Sequence, residues 1–199
     1  MLRVALTGGI ATGKSYVLER FRQRGVPCLD ADVLAHAVTA AGTEATRAIR
    51  ERFGPQVIGA DGAVDRQALG DIVFRDPSER QHLEAIVHPE VYRSILAGLQ
   101  AIERTGATPL ALVDVPLLYE TGHEGDFARV IVTACSVELQ VERLVRRGLS
   151  EGEARRRINA QWPTEKKVAR ADFVVSTDGT PDETGAQVDT ILQALVPPR

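Results

Sequence analysis

The chain has 199 residues, 44% hydrophobic and 26% charged, with a formal net charge of −3. That length supports one sizeable core. The charge balance gives no sign of a nucleic-acid binder, so a polyanionic ligand would need locally concentrated positive charge. No apolar run approaches the ~20 residues that span a bilayer, and the start, MLRVALTGG, lacks the form of a signal peptide. A cytoplasmic protein with no membrane partner is expected.

Five apolar runs, 2–7, 26–30, 110–115, 129–134 and 172–176, read as buried strands. They are rich in Val, Leu and Ile and do not alternate cleanly, the pattern of parallel strands covered on both faces. Helical patterns lie between them. The expected fold is three-layer α/β with a parallel five-stranded sheet and right-handed crossovers.

The first run feeds Gly8-Gly9-Ile10-Ala11-Thr12-Gly13-Lys14-Ser15, which fits G-x-x-x-x-G-K-[ST]. A chance match in a chain of this length is on the order of one in a hundred by average residue usage. Backbone N–H groups converging on one point hold phosphate oxygens, and Gly8 and Gly13 permit the turn and the close approach. The following helix adds the positive end of its dipole. Lys14 reaches the β- and γ-phosphates and Ser15 offers a hydroxyl to Mg²⁺. In that helix Val17, Leu18 and Phe21 form an inward stripe, and Gly25 stops it.

The second run ends in Asp30-Ala31-Asp32, beyond the carboxyl end of a strand, where ligands of open α/β sheets bind. One of these carboxylates can accept a proton from an attacking hydroxyl. Asp32 can equally cap the next helix, and spacing alone leaves both roles open. Residues 31–109 read as an inserted helical lobe, far longer than a crossover requires. The third run ends in Asp114, placed like a carboxylate that holds Mg²⁺; a turn or cap role stays open. An Arg-rich excursion, about 137–170, follows the fourth run. In such a lid one or two arginines neutralise the transferring phosphoryl group, and the rest are solvated.

Helix starts stand at Asp76-Pro77, Ser150 and Thr180-Pro181, each with Glu three residues after the cap. The last helix, about 181–195, should stop at Pro197-Pro198. Cys28 and Cys135 form no CxxC pair and read as small buried hydrophobes. His36 and His88 show no metal-ligand spacing.

Over nearly its whole length the chain resembles the dephospho-CoA kinase family of P-loop kinases. The motifs that carry the resemblance are GGIATGKS, Asp30-Ala31-Asp32 with His36, and Asp61-Gly62-x-Val64-Asp65-Arg66-x-x-Leu69-x-x-x-Val73-Phe74. His88-Pro89, Asp114-Val115-Pro116-Leu117-Leu118-x-Glu120 and Gln161-x-Pro163-x-x-x-Lys167-x-x-x-Ala171-Asp172 complete the set. Each later motif is weak alone; their joint order is specific.

The resemblance implies transfer of the γ-phosphoryl of ATP to the ribose 3′-hydroxyl of dephospho-CoA, with Mg²⁺. It implies a nucleotide core (1–30, 110–136, 169–199), a substrate lobe (31–109) and a lid (137–168). ATP contacts are expected at Gly9, Ala11, Thr12, Gly13, Lys14, Ser15 and Tyr16. Asp32 would be the base, Arg147 the lid arginine, and His88, Tyr119 and Glu120 would lie near the acceptor. Two departures stand out: Tyr16 replaces a small hydroxyl residue, and Ser176-Thr177 replaces an Asn, which would alter contacts to the adenine. The rival is a P-loop kinase for another small molecule, such as a nucleoside monophosphate. The oligomeric state is not legible.

Overall fold

The computed structural model describes residues 1–196, so Pro197 and Pro198, expected as the stop of the last helix, lie outside the described residues. Strands β1 (Leu2–Gly8), β2 (Cys28–Asp30), β3 (Leu110–Asp114), β4 (Arg129–Ala134) and β5 (Phe173–Ser176) form one parallel sheet. Their order is β2-β3-β1-β4-β5. β1 is central and pairs in parallel with both β3 and β4. Val4, Ala5, Leu6 and Thr7 are all fully buried, so both faces of β1 are covered. This is why the strands lack polar alternation.

β2 is shorter than its apolar run. Pro27 has no N–H for the ladder, although its carbonyl accepts from Leu112 N at 2.9 Å. β5 likewise begins one residue late. Asp172 just before it still donates its N–H to Val130 O at 3.0 Å, and its side-chain Oδ2 accepts from Val130 N at 2.8 Å.

The chain divides into two compact units: residues 1–29 with 101 onward, and residues 30–100. In the first, α1 (Lys14–Gln23) contributes Val17, Leu18 and Phe21 to the core, the stripe its spacing predicts. Val188 and Ile191 of α9 (Pro181–Leu195) join Val4, Leu6, Leu112 and Ile131 in the same cluster. Phe21 is fully buried, which is worth about 1.5–3 kcal/mol for such a side chain. The unit also holds α6 (Val137–Arg146), α7 (Glu151–Asn159) and α8 (Thr164–Val168). Ser150 and Thr180 each form a complete capping box with the Glu three residues on.

The second unit contains α2 (Ala31–Val38), α3 (Glu44–Phe53), α4 (Arg66–Val73) and most of α5 (Pro77–Thr105). Ile49, Phe53, Val57 and Leu69 form its core, with Leu83, Ile86 and Val87 against them. Asp65 caps α4 through Gln67 N and Ala68 N. Asp76 accepts from Ser78 N at 2.8 Å at the start of α5.

Burial pushes the Cys28 thiol up to about 11 and the Cys135 thiol in the same direction. Both thus stay neutral hydrophobes. No helix among the described residues is long and apolar enough to cross a membrane.

Candidate active site

The phosphate loop leaves the central strand and closes onto α1. Gly13, the residue before the helix, has φ +85°, a left-handed conformation that glycine adopts without steric cost. Gly8 serves a different need: a Cβ there would stand 2.1 Å from Thr133 Oγ1. Ala11 also lies at positive φ, 60°. For a residue with a side chain this costs roughly 1–3 kcal/mol, so the surroundings must hold it.

They do so through the carbonyls of the loop. Gln140 Nε2 donates to Ile10 O at 2.7 Å, and Gln161 Oε1 accepts from Ile10 N at 2.7 Å. Arg143 Nη1 donates to Ala11 O at 3.0 Å, and Thr177 Oγ1 donates to Thr12 O at 2.8 Å. In a trans peptide the C=O and the following N–H point opposite ways. Anchoring Ile10 O and Thr12 O outward therefore aims the N–H groups of Ala11 and Gly13 into the cradle.

Lys14 opens α1, and its ammonium pairs with Asp114 at the end of β3. Leu6 of β1 and Asp114 are direct cross-strand partners, so the sheet itself sets this meeting. Asp114 is 3% exposed. Ser15 follows at the surface. Tyr16 is half-exposed; its hydroxyl donates to Pro181 O at 3.0 Å, with the Arg20 guanidinium over its ring.

Beside Gly13 lies a cleft of about 490 Å³, walled by Tyr16, Arg143, Arg146, Arg147 and Thr177. Arg143 is committed inward, since it also donates to Thr177 Oγ1 at 2.9 Å and to Thr177 O at 2.8 Å. Arg147 is exposed at the C-cap of α6 and faces the cleft. Arg155 pairs with Glu151 one turn back on the exposed face of α7, the solvated reading of that run.

An arginine that clamps a phosphoryl group by its planar fork is not replaced by lysine. If Arg147 is such a clamp, Arg147→Lys lowers kcat by about tenfold or more and Arg155→Lys changes it less than about twofold, in parallel steady-state assays. Equal effects would mean that the acting arginine lies elsewhere.

Past β3, Tyr119 and Glu120 meet the end of the Arg-rich excursion. Glu120 Oε1 pairs with Lys167 Nζ at 2.7 Å and accepts from Trp162 N at 3.2 Å. Lys167 is fully buried. The Tyr119 and Trp162 rings stack, with centroids 6.2 Å apart and planes 4° from parallel. Burial pushes the Tyr119 phenol up. The Tyr119 hydroxyl and Glu120 Oε2 are left without a hydrogen-bond partner.

In the helical unit, Asp30 is the cap of α2: its Oδ1 accepts from Asp32 N at 2.9 Å and Val33 N at 3.1 Å. Asp32 is thereby released from capping and presents an exposed carboxylate in the first turn. His36 follows one turn later, exposed, and His88 is half-buried on α5. Among the described residues no group of three or more His, Cys, Asp or Glu could hold a metal by itself.

Sequence reasoning did not single out Gln140, Arg143 or Thr177 as loop anchors. One signal was available: Gln140 interrupts the apolar stripe of α6 beside Val141 and Leu144, yet is 1% exposed.

A family model for dephospho-CoA kinase matches residues 2–183. A dephospho-CoA kinase of Geobacillus kaustophilus is 44% identical over 193 residues, covering 96% of each chain. One from Anaeromyxobacter dehalogenans is 46% identical and covers 96% of this chain and 91% of its own. Among solved structures, a dephospho-CoA kinase from Campylobacter jejuni aligns with TM-score 0.74 at 25% identity, over 97% of this chain and 96% of its own. A shikimate kinase from Acinetobacter baumannii, at TM-score 0.51 and 16% identity over 98% and 93%, shares the fold.

Proposed function

The chain belongs to the dephospho-CoA kinase family, and from that premise we propose how its residues divide the work of the reaction. The enzyme transfers the γ-phosphoryl of ATP to the ribose 3′-hydroxyl of dephospho-CoA, giving CoA and ADP. The observation that carries the residue assignment is the anchored loop with Lys14 set on Asp114.

Gly9, Ala11, Thr12, Gly13, Lys14, Ser15 and Tyr16 receive the nucleotide. Lys14 faces the β- and γ-oxygens, where charge shifts during transfer. Arg147 approaches the same oxygens from the lid, residues 137–168. Residues 31–109 are the acceptor lobe. Asp32 orients the 3′-hydroxyl and takes its proton as the O–P bond forms. His88, Tyr119 and Glu120 bind the acceptor.

Mg²⁺ takes few protein ligands and keeps waters and phosphate oxygens as the rest of its shell. One buried carboxylate, Asp114, and one hydroxyl, Ser15, are donors of the kind that would hold it. The ion would supply positive charge opposite the phosphate oxygens. A cytoplasmic place for the enzyme is part of the same reading.

The test is an acceptor panel. MgATP turnover should rise far more with dephospho-CoA than with AMP, adenosine or pantothenate. Equal stimulation by AMP would favour a nucleoside monophosphate kinase and sink the acceptor assignment.

A further inference from the structure

The phosphate loop and the Arg-rich excursion share one apolar core. Ala11 is buried in a cluster with Val141 and Leu144 of α6 and Ala154 of α7, and Ile10 packs against that cluster. The lid is thus built on two residues of the loop it covers.

Two glutamines fix the same segment by hydrogen bonds. Gln140 stands in the first turn of α6, where the lid begins, and Gln161 follows α7, towards the lid's end. Gln140 Nε2 donates to Ile10 O, and Gln161 Oε1 accepts from Ile10 N, each at 2.7 Å. A carbonyl only accepts and an N–H only donates, so each amide is held in one orientation. Each bond sets a different peptide plane. With the Ile10 N–H on Gln161, the carbonyl of Gly9 points the other way. There it accepts from Thr12 Oγ1 at 2.8 Å and from Thr12 N at 3.3 Å. With the Ile10 carbonyl on Gln140, the N–H of Ala11 turns to the opposite side.

This arrangement is kept against a cost. Gln140 is 1% exposed, and its Oε1 has no hydrogen-bond partner among the described residues. An unpaired buried amide oxygen destabilises a fold. An apolar residue of the same length would continue the stripe of Val141 and Leu144 without that loss. Gly9 makes room for the contact, since a Cβ there would stand 3.0 Å from Gln140 Nε2 and 3.0 Å from Thr164 Oγ1. A buried polar group held at the expense of stability, against a phosphate loop, points to work in the reaction rather than in folding.

We propose that Gln140 and Gln161 are positioning residues for phosphoryl transfer. From the two roots of the lid they lock successive peptide planes of the phosphate loop, so the loop keeps its transfer geometry only while both roots are seated. The proposal rests on the reading of residues 137–168 as a lid over the nucleotide. The glutamines act through Ile10 and not on the reacting atoms. A misplacement of about 1 Å from such a site costs on the order of a hundredfold in rate.

The experiment takes Gln140→Met, Gln161→Leu and the double variant at saturating MgATP and dephospho-CoA. Each single variant should lose kcat by about tenfold to a hundredfold. The double variant should lose little more than the worse single one, because either break frees the same segment. Losses that multiply would mean two independent contacts and overturn the proposal. Methionine keeps the length of Gln140 and removes the unpaired oxygen. The melting temperature of Gln140→Met should therefore equal or exceed that of wild type. A lower melting temperature with unchanged kcat would show a merely structural role.

Deuterium exchange without nucleotide or acceptor reads the linkage itself. In the variants exchange should quicken both in the loop, residues 9–13, and in α7, since each holds the other. Faster exchange in the loop with α7 unchanged would break the link to the lid and overturn the proposal. This arm needs no turnover, so it stands apart from the roles assigned above. Unchanged kcat in Arg147→Lys, with the glutamine effects intact, would remove the lid arginine alone. Absence of wild-type turnover with dephospho-CoA would remove the acceptor, and the exchange pattern would still uphold or overturn the clamp.

Discussion

Replacing Asp32 by Asn is expected to lower kcat by about 10²–10⁴-fold, the usual contribution of a positioned general base. The melting temperature and the KM for ATP should stay near wild type. A ribose hydroxyl is a weak nucleophile until its proton has somewhere to go. A carboxylate within hydrogen-bond reach orients the hydroxyl and accepts that proton; an amide of the same size does only the first. The competing role, capping α2, belongs to Asp30, whose Oδ1 holds both Asp32 N and Val33 N. Asp30→Ala should therefore show the opposite signature, with about 1 kcal/mol lost in stability. A kcat within a few-fold of wild type in Asp32→Asn would take Asp32 out of the chemistry and leave Asp30 or Asp114 to be tested.

Lys14→Ala should lower kcat by about 10²-fold or more, comparable to losing one preorganised donor to a transition-state oxyanion. The ammonium faces oxygens on which charge builds as the γ-phosphoryl leaves, so its loss acts on kcat as well as on ATP affinity. The variant should also melt lower. Asp114 is 3% exposed, and removing the cation opposite a buried carboxylate costs up to about 3–5 kcal/mol. Each kcal/mol is worth roughly 2–4 °C in a chain of this size. The two effects separate in the double variant Lys14→Ala/Asp114→Asn. Neutralising the carboxylate should recover much of the melting temperature and none of the rate. Near-normal kcat in Lys14→Ala would show that the loop is not the catalytic cradle.

What was legible in the chain was local. The strands declared themselves because β1 and β3 are covered on both faces and so carry unbroken aliphatic runs. The capping boxes at Ser150 and Thr180 are written within four residues. The phosphate loop has a fixed spacing between its glycines and Lys14. What was not legible depended on backbone angles or on distant partners. Asp30 and Asp32 are equivalent by spacing; Asp30 caps because its backbone is extended, φ −124° and ψ 114°, while Asp32 is already helical. Arg143 looks like any other arginine of its run until Ala11 O, 132 residues away, is found beside it. Thr177, read as an altered adenine contact, has its hydroxyl bonded to the loop carbonyl of Thr12. The Glu120–Lys167 pair joins residues whose motifs stand far apart in the chain. Phe74 ran against simple hydrophobic patterning, which would bury it.

The most direct measurement is phosphorus NMR of the product formed from ATP and dephospho-CoA. One new phosphomonoester should appear, coupled to the ribose H3′ proton, with one ADP formed for each. Inorganic phosphate without a new ester, or an ester on any other oxygen, would contradict transfer to the ribose 3′-hydroxyl.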